Sequence, residues 1–268
     1  MMILNSKTVK AQAKENFAQN RLRSIAACLI GTFAFVIVAV IMSIIGTVMP
    51  VGVLVAVGAL VWLFVLCPLT MGILRFITRM ILGKTQEDIV VCFRYFSSFK
   101  EYKRILGFIF TLLLKHIGIA FLIAIPLLGI WIVSSPFLYE YFDYFMPVWA
   151  QSLSYANVYI RVLGTFVYLL LTLRYYLAPF LFVADEEMHS AEAVYMSKCI
   201  SKRTVIDFVF LAFSCFWCIV ACLFVAPLVF TLPFLVGAYV YHCDSAVKQY
   251  NETIRVPEET ELFSTEEI

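Results

Sequence analysis

Long apolar stretches separated by short polar segments dominate the chain. A helix needs about 20 apolar residues to cross about 30 Å of hydrocarbon. The pattern predicts spans at about 24–48, 51–73, 105–133, 158–184, 205–225 and 228–241. The sixth is short and contains Pro233 and Gly237. We therefore expect an all-α, polytopic membrane helix bundle of about six transmembrane helices plus interfacial amphipathic helices.

The segments at the two ends of the chain are polar. The pattern predicts a helix over 5–20 and a single transmembrane domain over 1–243. Six of the 18 acidic residues lie between Glu252 and Glu267. A short run of like charge with little apolar content is typical of disorder. We therefore expect residues 244–268 to form an acidic, disordered tail.

Composition supports a membrane protein and excludes other classes. Hydrophobic residues make up 63% of the chain and charged residues 14%, against about 45–50% and about 25% in soluble domains. The net charge of +2 argues against nucleic acid as a partner, because nucleic-acid binding needs a strongly basic face.

Basic residues follow a one-sided distribution. Seventeen of the 20 Lys and Arg lie before the first span, in the segments after spans two and four, or in the tail. None lies between Ser134 and Asn157. Because Lys and Arg are retained on the cytoplasmic side, we expect a multi-pass protein of the cell membrane with both termini in the cytoplasm.

Two segments have the composition of elements that lie along a membrane surface. Residues 88–99 place Ile89, Cys92, Phe93, Tyr95, Phe96 and Phe99 on one broad helical face. This face suits either the acyl boundary of the inner leaflet, where nearby basic residues attract anionic headgroups, or packing under the bundle. Residues 137–149 are rich in aromatic side chains, which favours an interfacial belt or, alternatively, a binding mouth.

Polar side chains inside spans are the default functional candidates in a membrane protein. The candidates here are Lys115, His116, Arg174 and Asp207. They are compatible with an ion or proton path, or with buried pairing that fixes helix register. Arg174 and Asp207 are the pair we expect to interact.

No catalytic, cofactor or metal site is predicted. The eight cysteines lie mostly in apolar runs, including Cys215 and Cys218, so they are expected to pack as small apolar side chains. The acidic run 185–187 is similar to the paired glutamates of intramembrane CAAX-type proteases. However, Ser190 and Ala191 occupy the positions where those enzymes carry arginine. We therefore do not expect an enzyme.

A weak internal repeat relates the ends of spans two and four. Leu66–Leu69 (LCPL) and Leu177–Phe180 (LAPF) are each followed by acidic residues, a short helix and a Lys-Arg pair. Parallel repeats of this kind occur in some transporters. Ancient duplication without transport is equally compatible with the pattern.

Several short motifs, taken in order, resemble one family. They are the Lys- and Ala-containing opening helix 6–20, Pro68-Leu69-Thr70-Met71-Gly72, the Phe-rich stretch 93–99, Ala178-Pro179 with Ala184-Asp185, and Glu192-Ala193 with Ser197-Lys198. The arrangement resembles the DUF975 family of bacterial multi-pass membrane proteins. The glycine expected after the serine helix is absent, and Lys202-Arg203 stand in its region. The resemblance implies membrane location and topology, but no activity.

Two functions remain open from the sequence. The leading one is a non-enzymatic protein of the bacterial cytoplasmic membrane that acts through packing against lipid or partner proteins. The alternative is a small transporter or channel component with a polar intramembrane site. Expected partners are the lipid bilayer, anionic phospholipid headgroups, and a membrane-protein partner or a second copy of the chain.

Overall fold

A computed structural model describes residues 6–47, 49–83, 88–133, 159, 162–221 and 225–264. Every regular element in these ranges is helical, so the predicted all-α class is confirmed. The predicted aromatic segment 137–149 lies outside the described residues. The elements are α1 (Ser6–Gln19), α2 (Arg21–Gly46), α3 (Val51–Val61), a π-helical turn (Trp62–Leu66), α4 (Cys67–Ile81), a 3₁₀ helix (Ile89–Phe93), α5 (Arg94–Ser97), α6 (Phe99–Val133), α7 (162–172), a 3₁₀ turn (Leu173–Tyr175), α8 (Ala178–Ala184), α9 (Ser190–Ser214), α10 (Phe216–Ala221) and α11 (Val225–Ser264).

Four helical stretches among the described residues are long and apolar enough to cross a membrane. They are Arg21–Gly46, Val51–Ile81, Phe99–Pro126 and Val162–Ala184, which overlap the first four predicted spans. The predicted spans 205–225 and 228–241 are not among them. The structure divides those residues among α9, α10 and α11.

The chain forms two compact units, one comprising Met1–Ile109 with Leu177–Ile268 and the other comprising Phe110–Tyr176. The second unit contains most of α6, then α7 and the 3₁₀ turn that follows it. Its large apolar side chains are widely exposed, including Phe121, Leu122, Leu163 and Phe166. Exposure of this kind is costly in water and favourable in hydrocarbon.

Burial changes abruptly along the helices of the first unit. In α2 the buried residues end at Cys28, and Leu29 is already 44% exposed. The helix α3 has no buried residue, and burial begins at Leu66. In α6 burial ends at Ile109. We call the part of the first unit that contains these buried residues, together with the helices packed on it, the head; it comprises residues 6–28, 66–83, 88–109, 177–221 and 225–252.

A π-helical turn followed by a proline separates the exposed and buried halves of the helical stretch Val51–Ile81. Pro68 has no N–H and cannot bond the carbonyl of Phe64 four residues earlier. The π-helical turn Trp62–Leu66 lies immediately before it, and such turns absorb local breaks in a helix. The Tyr102 hydroxyl donates a hydrogen bond to the Phe64 carbonyl at 2.9 Å. The start of α6 therefore supplies a donor at a position where the proline has none.

Within the first unit, the ends of four helices meet in the head. The Ser24 hydroxyl, in the first turn of α2, lies 3.9 Å from the Met80 sulfur in the last turn of α4. Arg104, in the second turn of α6, donates to the Asp185 carbonyl just after α8. The starts of α2 and α6 and the ends of α4 and α8 therefore lie together.

The predicted N-terminal helix 5–20 is confirmed as α1, and it packs on the C-terminal helices. Val9 is buried in a cluster with Leu211 and Cys215, against which Phe234, Leu235 and Tyr241 pack. The Lys10 ammonium donates to the Ser214 carbonyl at 2.5 Å. The Arg21 guanidinium, at the start of α2, lies 5.4 Å from the ring centre of Phe230.

The C-terminal segment differs from the predicted tail. The helix α11 continues without a break across residue 243 to Ser264. Cys243 and Ala246 are fully buried in the head, and Lys248 pairs with Asp244 one turn away at 2.7 Å. Because the helical face around 238–246 packs in the head, the helix continues past residue 243, where charge composition predicted the tail to begin.

The segment 88–99 is also different from the single amphipathic helix that periodicity predicted. It forms a 3₁₀ helix, one turn of α-helix, and an extended residue at Ser98. Cys92 and Tyr95 are buried, whereas Val90, Phe93 and Phe96 are exposed. The apolar residues are therefore divided between two faces, one packed on the head and one open.

Candidate functional site

The most unusual polar feature of the head is a cluster of three arginines around one carboxylate. Arg75 and Arg79 lie one turn apart on α4, so they share a helical face. Both guanidiniums contact Oε1 of Glu186. The Arg94 guanidinium, from α5, lies 3.3 Å from Oε2 of the same residue. We call Arg75, Arg79, Arg94 and Glu186 the arginine cluster.

The turn between α8 and α9 holds Glu186 in place. The Glu187 N–H donates to the Asp185 side chain at 2.9 Å, an arrangement in which an aspartate stabilises a tight turn. Arg104 donates to the carbonyls of Asp185 and Met188 at 3.1 and 3.3 Å. Its guanidinium also lies 4.6 Å from the ring centre of Phe182. These contacts fix the backbone from which Glu186 projects.

A close backbone contact brings Arg94 to the cluster. A Cβ at Gly72 would lie 2.0 Å from the Cys92 carbonyl oxygen, so only glycine permits this approach of the 3₁₀ helix to α4. Burial raises the pKa of the Cys92 thiol to about 11, which keeps it protonated and unreactive at neutral pH. The Tyr95 ring lies 5.8 Å from the Arg75 guanidinium. The same contact therefore positions both Tyr95 and Arg94.

The cluster becomes more exposed from its centre to its rim. The side chain of Arg75 is 1% exposed, that of Arg79 19%, that of Arg94 36% and that of Glu186 39%. The buried Arg75 Nε has no hydrogen-bond partner. A buried donor without an acceptor costs about 1–3 kcal/mol. The innermost arginine is thus incompletely satisfied, while the outermost is accessible.

The charges of the cluster do not balance. Arginine stays protonated in proteins, so three guanidiniums face one carboxylate. Asp185 and Glu187 lie in the same turn and are exposed, and Arg104 brings a fourth guanidinium to that turn. Four arginines then stand against three carboxylates, which leaves an excess of one positive charge. A planar guanidinium matches the oxygens of carboxylates and phosphates. The chemistry that this arrangement supports is binding of an oxyanion.

A shallow apolar groove adjoins Arg94. It has a volume of about 420 Å³ and is lined by Val90, Val91, Phe93, Arg94, Phe96 and Ser97. The Phe96 ring lies 5.9 Å from the ring of Tyr102, whose hydroxyl bonds the Phe64 carbonyl. The lining of the groove therefore includes both Arg94 of the arginine cluster and Phe96, the ring that contacts Tyr102 of α6.

A second apolar cavity lies between α2, α4 and α11. Its volume is about 330 Å³, and its lining includes Cys28, Ile73, Leu232 and Tyr239. Among the described residues there is no group of three or more His, Cys, Asp or Glu side chains that could hold a metal ion.

The predicted intramembrane residues lie elsewhere. Lys115 is exposed on α6. His116 is half-buried, its Nδ1–H donates to the Leu112 carbonyl at 2.8 Å, and its ring lies 6.1 Å from that of Tyr175. Arg174, in the adjacent 3₁₀ turn, is exposed. Thus Lys115, His116 and Arg174 belong to the second unit.

Asp207 is half-buried on α9, in the first unit. Its pairing with Arg174 stays a prediction. The predicted redox-inactive role of Cys215 and Cys218 is also untested. All seven cysteines among the described residues are free, and Cys215 is buried.

Comparison with protein-family models, curated proteins and solved structures finds no match. The resemblance to the DUF975 family stays a prediction on the motifs given above. One of those motifs has a structural role in the head, because Pro68 lies at the start of α4 and Gly72 admits the Cys92 backbone.

The arginine cluster was not predicted from the sequence. From the sequence, Arg75 and Arg79 bear only on the orientation of the chain. Arg94 also bears on the attraction of the segment 88–99 to anionic headgroups, and Glu186 bears on the comparison with proteases and on the internal repeat. One signal was present: the i, i+4 spacing of Arg75 and Arg79 on an otherwise apolar helix. Two basic residues on a buried face need an acidic partner.

Proposed function

We propose that this is a non-enzymatic integral membrane protein with four spans and a helical head, which acts by packing against lipid. The observation that carries the proposal is the division of the helices into buried and exposed parts. Only 6% of the most apolar stretch of α2 is buried, and 11% of that of Val51–Ile81. From Leu29 to Gly46, α2 covers about 27 Å at about 1.5 Å per residue, close to the hydrocarbon thickness of about 30 Å.

Four spans, rather than the six predicted from hydropathy, agree with the contacts of the head. With six spans, Phe230 would lie near the outer end of the sixth and Arg21 at the inner end of the first. These ends would be about 30 Å apart, yet the two side chains are in contact. We place residues 205–221 and 225–241 in the head, at the same membrane face as Arg21.

The exposed side of that region suits a membrane interface. Phe210, Phe213, Phe216 and Trp217 are between 49% and 79% exposed. Aromatic side chains are favoured at the boundary between headgroups and acyl chains. We propose that this edge of the head lies in the interface.

Four spans keep the predicted orientation. An even number of crossings returns the chain to the side on which it starts, and the ends of α4 and α8 lie with the starts of α2 and α6. The basic segments that follow spans two and four then lie on the side of the N-terminus. The proposal therefore places the head and both termini in the cytoplasm.

Labelling of single cysteines from outside the cell tests this topology. In a variant without the native cysteines, Ser152→Cys should react with an impermeant maleimide, whereas Phe230→Cys and Ser190→Cys should react only after permeabilisation. Reaction of Phe230→Cys from outside would restore six spans. Reaction of Ser190→Cys from outside would reverse the orientation.

The non-enzymatic, lipid-packing role needs a separate measurement. The purified protein, reconstituted into vesicles, should retain co-purified lipid through gel filtration and should not increase the leakage of entrapped ions or small solutes over protein-free vesicles. Solute flux above that of protein-free vesicles would favour the transporter alternative and overturn this part of the proposal.

A further inference from the structure

We infer that the groove beside Arg94 binds an anionic phospholipid, with the phosphate at the rim of the arginine cluster and an acyl chain along Phe93 and Phe96. This inference rests on the proposed four-span arrangement, because that arrangement places the groove at a membrane face. It names the lipid class and the residues that recognise it.

Charge supports an anion at this position. The arginine cluster holds three guanidiniums and one carboxylate, and its most exposed guanidinium, that of Arg94, also lines the groove. Arg94 contacts Glu186 through a single interaction at 3.3 Å, long for a charge-assisted hydrogen bond, which is typically about 2.7–2.9 Å. A phosphate can therefore accept from Arg94 without breaking a short bond.

The apolar walls support a lipid rather than a free anion. Phe93 and Phe96 are 45% and 42% exposed, and Val90 is 70% exposed. A free phosphate gains nothing from these side chains, whereas an acyl chain removes them from water. Phe96 contacts Tyr102 at the edge of the spanning region, so a chain leaving the hydrocarbon reaches the groove directly.

Glu186 competes with the phosphate for the same guanidiniums. The carboxylate holds Arg75 and Arg79 through one oxygen and Arg94 through the other. Removal of its charge should therefore weaken the head but strengthen lipid binding. If the ion pair were purely structural, removal of the Glu186 charge would not raise the affinity for lipid. The two roles of the cluster therefore predict different changes in lipid affinity.

Native mass spectrometry of the detergent-purified full chain, titrated with phosphatidylglycerol or phosphatidylcholine, tests the inference. We expect preference for phosphatidylglycerol, and loss of about tenfold in its affinity in Arg94→Gln, as for one charge-assisted hydrogen bond. Arg203→Gln, which changes an exposed arginine on α9, is the matched control and should bind as the unaltered protein does. Equal behaviour of the two variants would overturn the site.

Two further variants separate lipid binding from folding. Phe96→Ser keeps all the charges and should weaken binding of phosphatidylglycerol, while Glu186→Gln should strengthen it. Weaker binding in Glu186→Gln, or displacement of the lipid by inorganic phosphate alone, would overturn the lipid assignment. Failure of the four-span proposal appears separately, as reaction of Phe230→Cys from outside the cell.

Discussion

Gly72→Ala is the sharpest test of how the head is assembled. The added methyl group would lie 2.0 Å from the carbonyl oxygen of Cys92 and 2.9 Å from its carbonyl carbon. Both atoms belong to the backbone, so no side-chain rotation relieves the overlap. The 3₁₀ helix Ile89–Phe93 must move away from α4, and with it Arg94 leaves Glu186.

The size of the effect follows from two opposing terms. Overpacking a well-packed site costs about 1–3 kcal/mol, and a clash with backbone lies at the upper end of that range. Alanine favours a helix over glycine by about 1 kcal/mol. We expect a net loss of about 2 kcal/mol in the free energy of unfolding.

Gly118→Ala is the matched control, because a Cβ at Gly118 on α6 meets no atom within 4 Å. Thermal unfolding in detergent should show Gly72→Ala below the unaltered protein and Gly118→Ala at or above it. Maleimide should modify Cys92, fully buried in the native head, faster in Gly72→Ala. Equal unfolding temperatures and an unreactive Cys92 would show that the segment does not pack on Gly72.

Three further predictions concern charges in and near the head. Glu186→Gln and Arg75→Met should each lower the unfolding temperature, because the first leaves the buried Arg75 guanidinium without its carboxylate and the second removes one of the three arginines that hold Glu186. The double variant should lose less than the sum of the two, and additive losses would mean that the two do not interact. Arg174→Ala and Asp207→Ala should show the same non-additivity if they pair, and additive losses would refute the pairing. Burial lowers the pKa of His242 to about 4. The stability that the neutral imidazole contributes is therefore complete above the unfolded pKa of about 6.5 and declines as the pH falls toward 4. Between pH 7 and pH 4 the unfolding temperature should fall less steeply in His242→Gln than in the unaltered protein, and equal slopes would show that His242 does not cause the loss.

Sequence reasoning recovered the features that depend on local composition. The four long apolar helices overlap the first four predicted spans because they follow from runs of apolar residues. The partners of Arg75 and Arg79 do not follow from such runs, because Glu186 is more than 100 positions away and only the fold brings it to α4. Charge counts also cannot distinguish an arginine that orients the chain from one that is buried.

Periodicity failed where neighbouring residues have opposite environments. Tyr95 is 1% exposed and Phe96 is 42% exposed, yet both are aromatic and adjacent. A hydrophobic pattern shows which side chains avoid water, but not whether they contact protein or lipid. The same limit applies to the predicted spans at 205–225 and 228–241, because Leu211 packs with Val9 of α1 and Phe230 lies against Arg21 at the start of α2.

The proline at position 68 has a consequence for how this sequence can vary. Tyr102 is not close to Pro68 in the chain, but its hydroxyl donates to the Phe64 carbonyl, to which the proline cannot donate. A chain that lost the proline would regain the helical hydrogen bond and would no longer need the hydroxyl. A chain that kept the proline and lost the tyrosine would lose this hydrogen bond, and the proline could not donate in its place. We therefore expect Pro68 and Tyr102 to change together among relatives of this protein, so that the residue at one position predicts the residue at the other.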